Sequence, residues 1–276
     1  MQYDPIKRKL GKVFNRTPFL RKLFYRLLDL LLLRSWHIRK ALKQWEKQEN
    51  GEVSVLDAGS GFGQYDYWMA RRNNDWKIKG VDVKEEQIDD CNDFFKQIGF
   101  KNVQFKIGDL TALKEKEAYN LVLCVDVMEH IEEDELVLAN FYSALKNKGM
   151  LLISTPSDQG GSDVHHHDHE EYDNDGTRSF IDEHVRDGYS IEDMVQKMKR
   201  AGFSKTDVFY QYGKPGKIAW KLSMKYPIVM LNASYAFFII LPFYYLLTFP
   251  FVLLLNLADV SWKHKTGTGL VAKAWK

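Results

Sequence analysis

From residue 53 onward the chain alternates short, nearly continuous apolar runs with amphipathic stretches, and that alternation leaves few folds open. The runs are 53-VSVLDA-58, 76-WKIKGVDV-83, 102-NVQFKI-107, 119-YNLVLCV-125 and 149-GMLLIST-155, with helical stretches at 64–73, 85–98 and 132–146. Strands that are apolar on both faces and separated by helices form a parallel sheet covered on each side. A helix over 190–201, a strand over 203–212 and a last strand over 268–276 follow. The polar loop 156–189 far exceeds the usual connection of ~2–6 residues, and loops of that length tend to carry function.

The first strand runs into 55-VLDAGSGFGQY-65. Gly59, Gly61 and Gly63 let backbone approach a ligand closely, and the next helix aims its free N–H groups there. Asp57 stands two residues before the first glycine, where it repels a pyrophosphate and attracts an ammonium group. That position, with G-x-G-x-G spacing rather than G-x-G-x-x-G, argues against a nicotinamide-dependent oxidoreductase. The second strand ends in Asp82, where an acid accepts hydrogen bonds from ribose hydroxyls. The third ends in 107-IGDL-110, where Asp109 can accept from an exocyclic adenine amine, and the fourth runs into 124-CVDVMEHI-131.

These four signals, at four successive strand ends, resemble the class I S-adenosylmethionine-dependent methyltransferases over roughly 50–213 and 268–276. The resemblance implies an α/β fold: a Rossmann-like seven-stranded methyltransferase sheet with helices on both faces. It places Asp57, Gly59, Ser60, Gly61 and Gly63 at the methionine end of S-adenosyl-L-methionine, and Asp82 with Val83 at the ribose. Asp109 and Leu110 fall at the adenine, with Val125 and Asp126 also against the cofactor. The expected organisation is a basic helical cap over 1–47, the cofactor-binding core over 48–213, an apolar helical insert over 214–265 and the last strand over 266–276.

Methyl transfer is an in-line displacement, so the protein mainly aligns the nucleophile and excludes water. An oxygen nucleophile must also lose a proton, to a histidine or with a metal's help. The segment 120–131 resembles ubiquinone-biosynthesis O-methyltransferases. It also resembles the E-x-x-E-H metal motif of small-RNA 2′-O-methyltransferases, with Asp126 in place of the first Glu. On a helical turn Asp126, Glu129 and His130 would converge on a divalent ion, Mg²⁺ or Mn²⁺. A histidine from 165-HHHDHE-170 would move the preference toward Zn²⁺. His130 ranks first as catalytic base and His184 second, with His37 a further candidate; His184 and His37 each read more readily as structural.

Charge is distributed unevenly. Residues 1–47 hold 13 Lys/Arg against 3 Asp/Glu, 126–193 hold 4 against 18, and 194–276 hold 12 against 2. Two basic ends suit a phosphate-bearing surface. In 19-FLRKLFYRLLDLLLL-33, Leu20, Phe24, Leu27 and Leu31 share one helix face and Arg21, Lys22 and Arg26 another, as in a domain cap or an interfacial helix. The run from Tyr226 to Ala258 carries no charge and is long enough to cross a ~30 Å core. If 268–276 rejoins the sheet, both ends of that run lie on one side and a single crossing is excluded. Pro227, Pro242 and Pro250 are expected to break it into pieces too short to span. An in-plane or re-entrant insert follows, with Tyr226, Tyr235, Tyr244 and Tyr245 at headgroup depth. Two cysteines and no legible leader point to a reducing cytosol, hence to the inner face of a membrane. The leading expectation is methylation of a lipophilic small molecule at a phenol- or quinone-type oxygen. RNA 2′-O-methylation is the alternative, weakened because the basic residues alternate with aliphatic runs rather than exposed stacking aromatics. A non-catalytic cofactor-binding scaffold stays open.

Overall fold

The computed structural model describes residues 17–160, 185–234 and 236–276. Its centre is a seven-stranded sheet in the order β3-β2-β1-β4-β5-β7-β6. The strands are β1 Ser54–Ala58, β2 Lys77–Asp82, β3 Val103–Ile107, β4 Tyr119–Val125, β5 Leu145–Pro156, β6 Lys205–Gln211 and β7 Gly269–Trp275. The first five run parallel, and β7 lies antiparallel between β5 and β6. The strand order reverses at β1/β4, and ligands bind such sheets outside the strand ends at that point.

Nine helices are described: α1 Pro18–Leu31, α2 Leu33–Glu46, α3 Gln64–Arg72, α4 Glu85–Gln97, α5 Asp134–Ala144, α6 Ile191–Arg200, α7 Lys214–Trp220, α8 Tyr226–Ala233 and α9 Phe237–Ser261. Phe141, Met194 and Met198 of α5 and α6 bury against one face of the sheet. Ile38, Leu42 and Met69 of α2 and α3 bury against the other.

α1 starts cleanly because Thr17 accepts from Leu20 N at 3.3 Å and Pro18 occupies the first turn. The sequence sets Arg21 on an outer basic face with Lys22 and Arg26; the structure buries it. Its Nε donates to Tyr25 Oη at 2.8 Å, Nη1 to Asp90 Oδ2 at 2.6 Å and Nη2 to the Phe62 carbonyl at 3.0 Å. A buried guanidinium is tolerable when its donors are satisfied. α1 is therefore a cap, with Phe19, Leu23 and Leu30 left outward.

The insert is a helical hairpin. The first arm is helical without interruption over 214–233, through α7, a π-helical turn Lys221–Lys225 and α8. The second arm is α9, 25 residues long. Contrary to expectation, Pro242 and Pro250 lie inside α9 without ending it. Each proline forfeits one N–H of the ladder, and the remaining bonds carry the helix across the gap. Pro227 sits in the first turn of α8, where its missing N–H costs nothing. Tyr244 and Tyr245 also differ from expectation: their hydroxyls donate inward, to the Leu222 and Ser223 carbonyls of the π-helical turn, at 2.7 and 2.8 Å. Tyr235 lies outside the described residues.

The hairpin is anchored through Asp259, which is fully buried in the last turn of α9. Its carboxylate accepts from Tyr212 N at 3.2 Å and Gly216 N at 3.0 Å. His37 Nε2 lies 2.9 Å from Oδ1 and His264 Nε2 3.2 Å from Oδ2. His37 thus ties α2 to the hairpin, a structural task that removes it as a candidate base.

Candidate active site

The turn after β1 needs its glycines for two different reasons. Gly59 has φ 84°, and a Cβ there would lie 2.1 Å from Val127 Cγ2. Gly61 has φ 50° and open space where a Cβ would point, with no atom within 4 Å. The loop is held from outside by α1 and α4: Arg21 and Tyr25 both donate to the Phe62 carbonyl, and Cys91 Sγ lies 3.4 Å from the Gly61 carbonyl. Burial pushes the Cys91 thiol up to about 12, so it serves as a neutral packing group.

Asp82 accepts from Gly61 N through Oδ2 and from Lys84 N through Oδ1, each at 3.0 Å. It is oriented before any ligand arrives, and a carboxylate retains lone pairs for ribose hydroxyls. Asp109 accepts from Thr111 N and Oγ1 at 2.8 Å. Val83 (65 % exposed) at the end of β2 and Ile107 (53 % exposed) at the end of β3 stand beside these acids as apolar side chains open to solvent. Leu110 turns its side chain into the core, leaving only backbone for a ligand. Ser60 Oγ is buried and has no hydrogen-bond partner among the described residues. Open space over Gly61, an orphaned hydroxyl, two acids and exposed aliphatics fit a nucleoside bearing an amino-acid tail.

Beneath the turn, Asp57 and Asp66 are both buried. Burial, with Asp57 beside it, raises Asp66 well above the carboxylate range. Burial also pushes Asp57 up to about 7, with the Asp82 charge adding to the shift. An ammonium group arriving there would favour the Asp57 carboxylate.

The end of β4 corrects the metal expectation. Met128–His130 is a 3-10 turn, and Asp126 lies outside it with φ 53°. The i, i+3, i+4 convergence of an α-helical turn is therefore absent. Asp126 pairs with Arg34 from α2, while Glu129 turns inward and accepts from Thr155 Oγ1 at 3.0 Å. Burial raises the Glu129 carboxyl above its ordinary range. No group of three His, Cys, Asp or Glu that could hold a metal ion occurs among the described residues. His130 ends the turn, half-buried, beside Glu129. His184 and the 165–170 cluster lie outside the described residues.

Sequence reasoning missed the groups brought in from the cap and from the turn after β6. Arg34 N donates to Tyr212 Oη at 3.1 Å, and Ser35 Oγ and Tyr65 Oη lie 3.4 Å apart. Burial holds the Tyr212 and Tyr65 phenols above their ordinary range, so both stay protonated.

A family profile described as a methyltransferase domain matches residues 49–202. The ubiquinone biosynthesis O-methyltransferase of Rickettsia conorii is 25% identical over 114 residues, covering 41% of this chain and 38% of that protein. The (S)-coclaurine N-methyltransferase of Papaver somniferum is 27% identical over 100 residues, covering 36% of this chain and 28% of that protein. The chain thus spans well under half the length of these curated relatives. In fold it is similar to phosphoethanolamine N-methyltransferase 2 of Haemonchus contortus in complex with S-adenosyl-L-methionine. The TM-score is 0.57 at 16% identity, over 92% of this chain and 60% of that one.

Proposed function

This chain belongs to the methyltransferase-domain family, and from that premise we propose that it methylates a lipophilic acceptor, at a phenol- or quinol-type oxygen, on a membrane surface. The observation that carries the reading is where the apolar hairpin is rooted. α9 is long and apolar enough to cross a membrane, with mean hydropathy 2.3, and Ile239 and Leu246 are each 75% exposed. Its Asp259 holds Tyr212 N, Tyr212 Oη accepts from Arg34 N, and Arg34 pairs with Asp126 at the end of β4. An acceptor leaving the apolar phase along α9 meets the site within that short chain of contacts. The name of the Rickettsia relative favours oxygen, and that of the Papaver relative keeps nitrogen as the alternative.

When bound, S-adenosylmethionine supplies a methyl group on a cationic sulfur. Asp57 would hold its ammonium group, Asp82 its ribose hydroxyls and Asp109 its adenine amine. His130, which ends the turn after β4, would accept the acceptor's proton on its imidazole. Arg34 and Asp126 pair beside the end of β4. The RNA reading loses support because the residues that would gather its metal point apart.

The test is to incubate the protein with methyl-labelled cofactor and a membrane extract. Label in the organic phase, lost in His130→Ala while S-adenosylhomocysteine still binds, supports the proposal. Label recovered only in RNA would overturn it.

A further inference from the structure

Away from the glycine turn, α1, α2, α3 and the last turns of α9 enclose a groove of about 990 Å³. Seven of its lining residues are cations, including Arg26, Lys43, Lys47 and Arg71, against a single acid, Asp29. That acid is already engaged, with Arg39 at 3.1 Å and Gln64 Nε2 at 2.8 Å. No acid among the described residues forms an ion pair with Arg26, Lys43, Lys47 or Arg71. Burial holds Arg39 below the ordinary guanidinium range, and Arg72 and Arg71 push it the same way. Arg72 pairs with Glu46 at 2.9 Å, so Arg39 and Arg72 are matched and the other five cations focus a positive potential into the groove.

The rest of the lining says what kind of anion fits. Leu30, Leu257 and Val260 form an apolar wall, and Leu257 continues onto the exposed aliphatic face of α9 through Leu254. Both groove residues of α9 lie at its C-terminal end, where the hairpin joins the domain. Tyr67 and Trp68 are buried, with Arg71 over Tyr67 at 5.7 Å and Arg72 over Trp68 at 4.9 Å. They are therefore covered and offer no open face for stacking nucleic-acid bases. Cations at the hairpin's foot, aliphatics along its shaft: this is the layout of a phospholipid.

We propose that the groove seats the phosphate of an anionic membrane lipid, whose acyl chains lie along α9. The proposal rests on the membrane reading above and adds a headgroup site to it. It also sets how deep the hairpin inserts, because the groove would fix its foot at the phosphate layer.

Flotation of the whole protein with vesicles tests it, comparing purely zwitterionic vesicles with vesicles containing a third anionic phospholipid. The parent should bind both, with a clear anionic increment that shrinks as salt rises. The triple variant Lys43→Gln, Lys47→Gln, Arg71→Gln should keep its zwitterionic binding and its affinity for S-adenosylhomocysteine. Its anionic increment should fall ~100-fold, taking roughly 1 kcal/mol for each cation near an anionic surface. Saturating inorganic phosphate that abolishes the increment at constant ionic strength would assign the groove to free phosphate and overturn the lipid assignment. Binding to RNA that the triple variant loses would overturn it likewise. An unchanged increment in the variant, or equal binding of the parent to both vesicles, overturns the groove and leaves the hairpin standing. A parent that floats with neither vesicle overturns the membrane reading and the groove with it.

Discussion

Asp82 is fixed by two backbone N–H groups that belong to the glycine turn and to the start of the next loop. Losing its bonds to cofactor hydroxyls should cost roughly 1.5–3 kcal/mol, so Asp82→Ala should bind S-adenosylhomocysteine ~10- to 150-fold more weakly by calorimetry. Unchanged affinity would show that the cofactor lies elsewhere. Asp57 adds a pH dependence. Its folded value of about 7 lies above the ~3.9 of an unfolded aspartate. The folded apo chain therefore holds an extra proton between these values, and this contribution to stability fades as pH rises from about 4 to 7. An ammonium ligand needs the carboxylate, so S-adenosylhomocysteine affinity should rise from pH 6 to 7.5, and Asp57→Asn should flatten the rise. A flat profile in the parent would mean that Asp57 does not meet the ammonium. The placement of Asp57, Asp82 and the glycines at strand ends was readable because it follows from local backbone pattern. Arg34 was not, since its partner Asp126 is 92 positions away and nothing in the helix pattern of α2 marks it.

Strands and helices of the core were legible because each repeats its own period, while the cap was harder to orient. An arginine next to leucines reads as an outer residue, yet Arg21 has enough fixed acceptors to be buried, and Asp90 and Phe62 come from elements the α1 sequence cannot reveal. Breaking a buried pair by removing one partner costs about 3–5 kcal/mol, and the partial exposure of Asp90 puts Arg21→Met at the lower end. Urea denaturation should show that loss, with Lys22→Ala as a near-neutral control. The same variant should loosen the Phe62 carbonyl and weaken S-adenosylhomocysteine binding. If its stability falls and its affinity does not, α1 braces the fold without organising the cofactor loop. The prolines of α9 teach a related lesson. A rule about one residue's missing N–H forecasts a break, but an element is held by its whole ladder and by its neighbour, here α7 and the tyrosine bonds to the π-helical turn.

The whole molecule combines a sheet whose last strand enters between β5 and β6 with a hairpin that leaves just before it. That topology follows from the sequence once the last strand is assigned; what the sequence could not give is that the two arms pack on each other and leave α9 facing outward. At 1.5 Å per residue α9 is ~37 Å long, and the first arm ~30 Å, so the pair can reach deep into a bilayer and return. Exposed Phe243 and Leu246 lie near the middle of α9, about 65–75% open. In water so large an apolar surface drives association. Replacing 227–258 with a short linker removes nearly all of α9 and about the last third of the first arm, yet keeps Asp259 and its partners. The trimmed protein should move to the soluble fraction, bind S-adenosylhomocysteine as the parent does, and lose activity on acceptors in vesicles. A gentler probe is Phe243→Asp with Leu246→Asp, since an aspartate at mid-bilayer depth costs ~2.5–3.5 kcal/mol. Vesicle binding should drop by at least ~50-fold while thermal stability in water holds or improves, because those side chains are already mostly exposed. If instead the double variant stays on vesicles and a dimer of the parent falls apart, the hairpin face is a contact between copies, and the membrane reading fails.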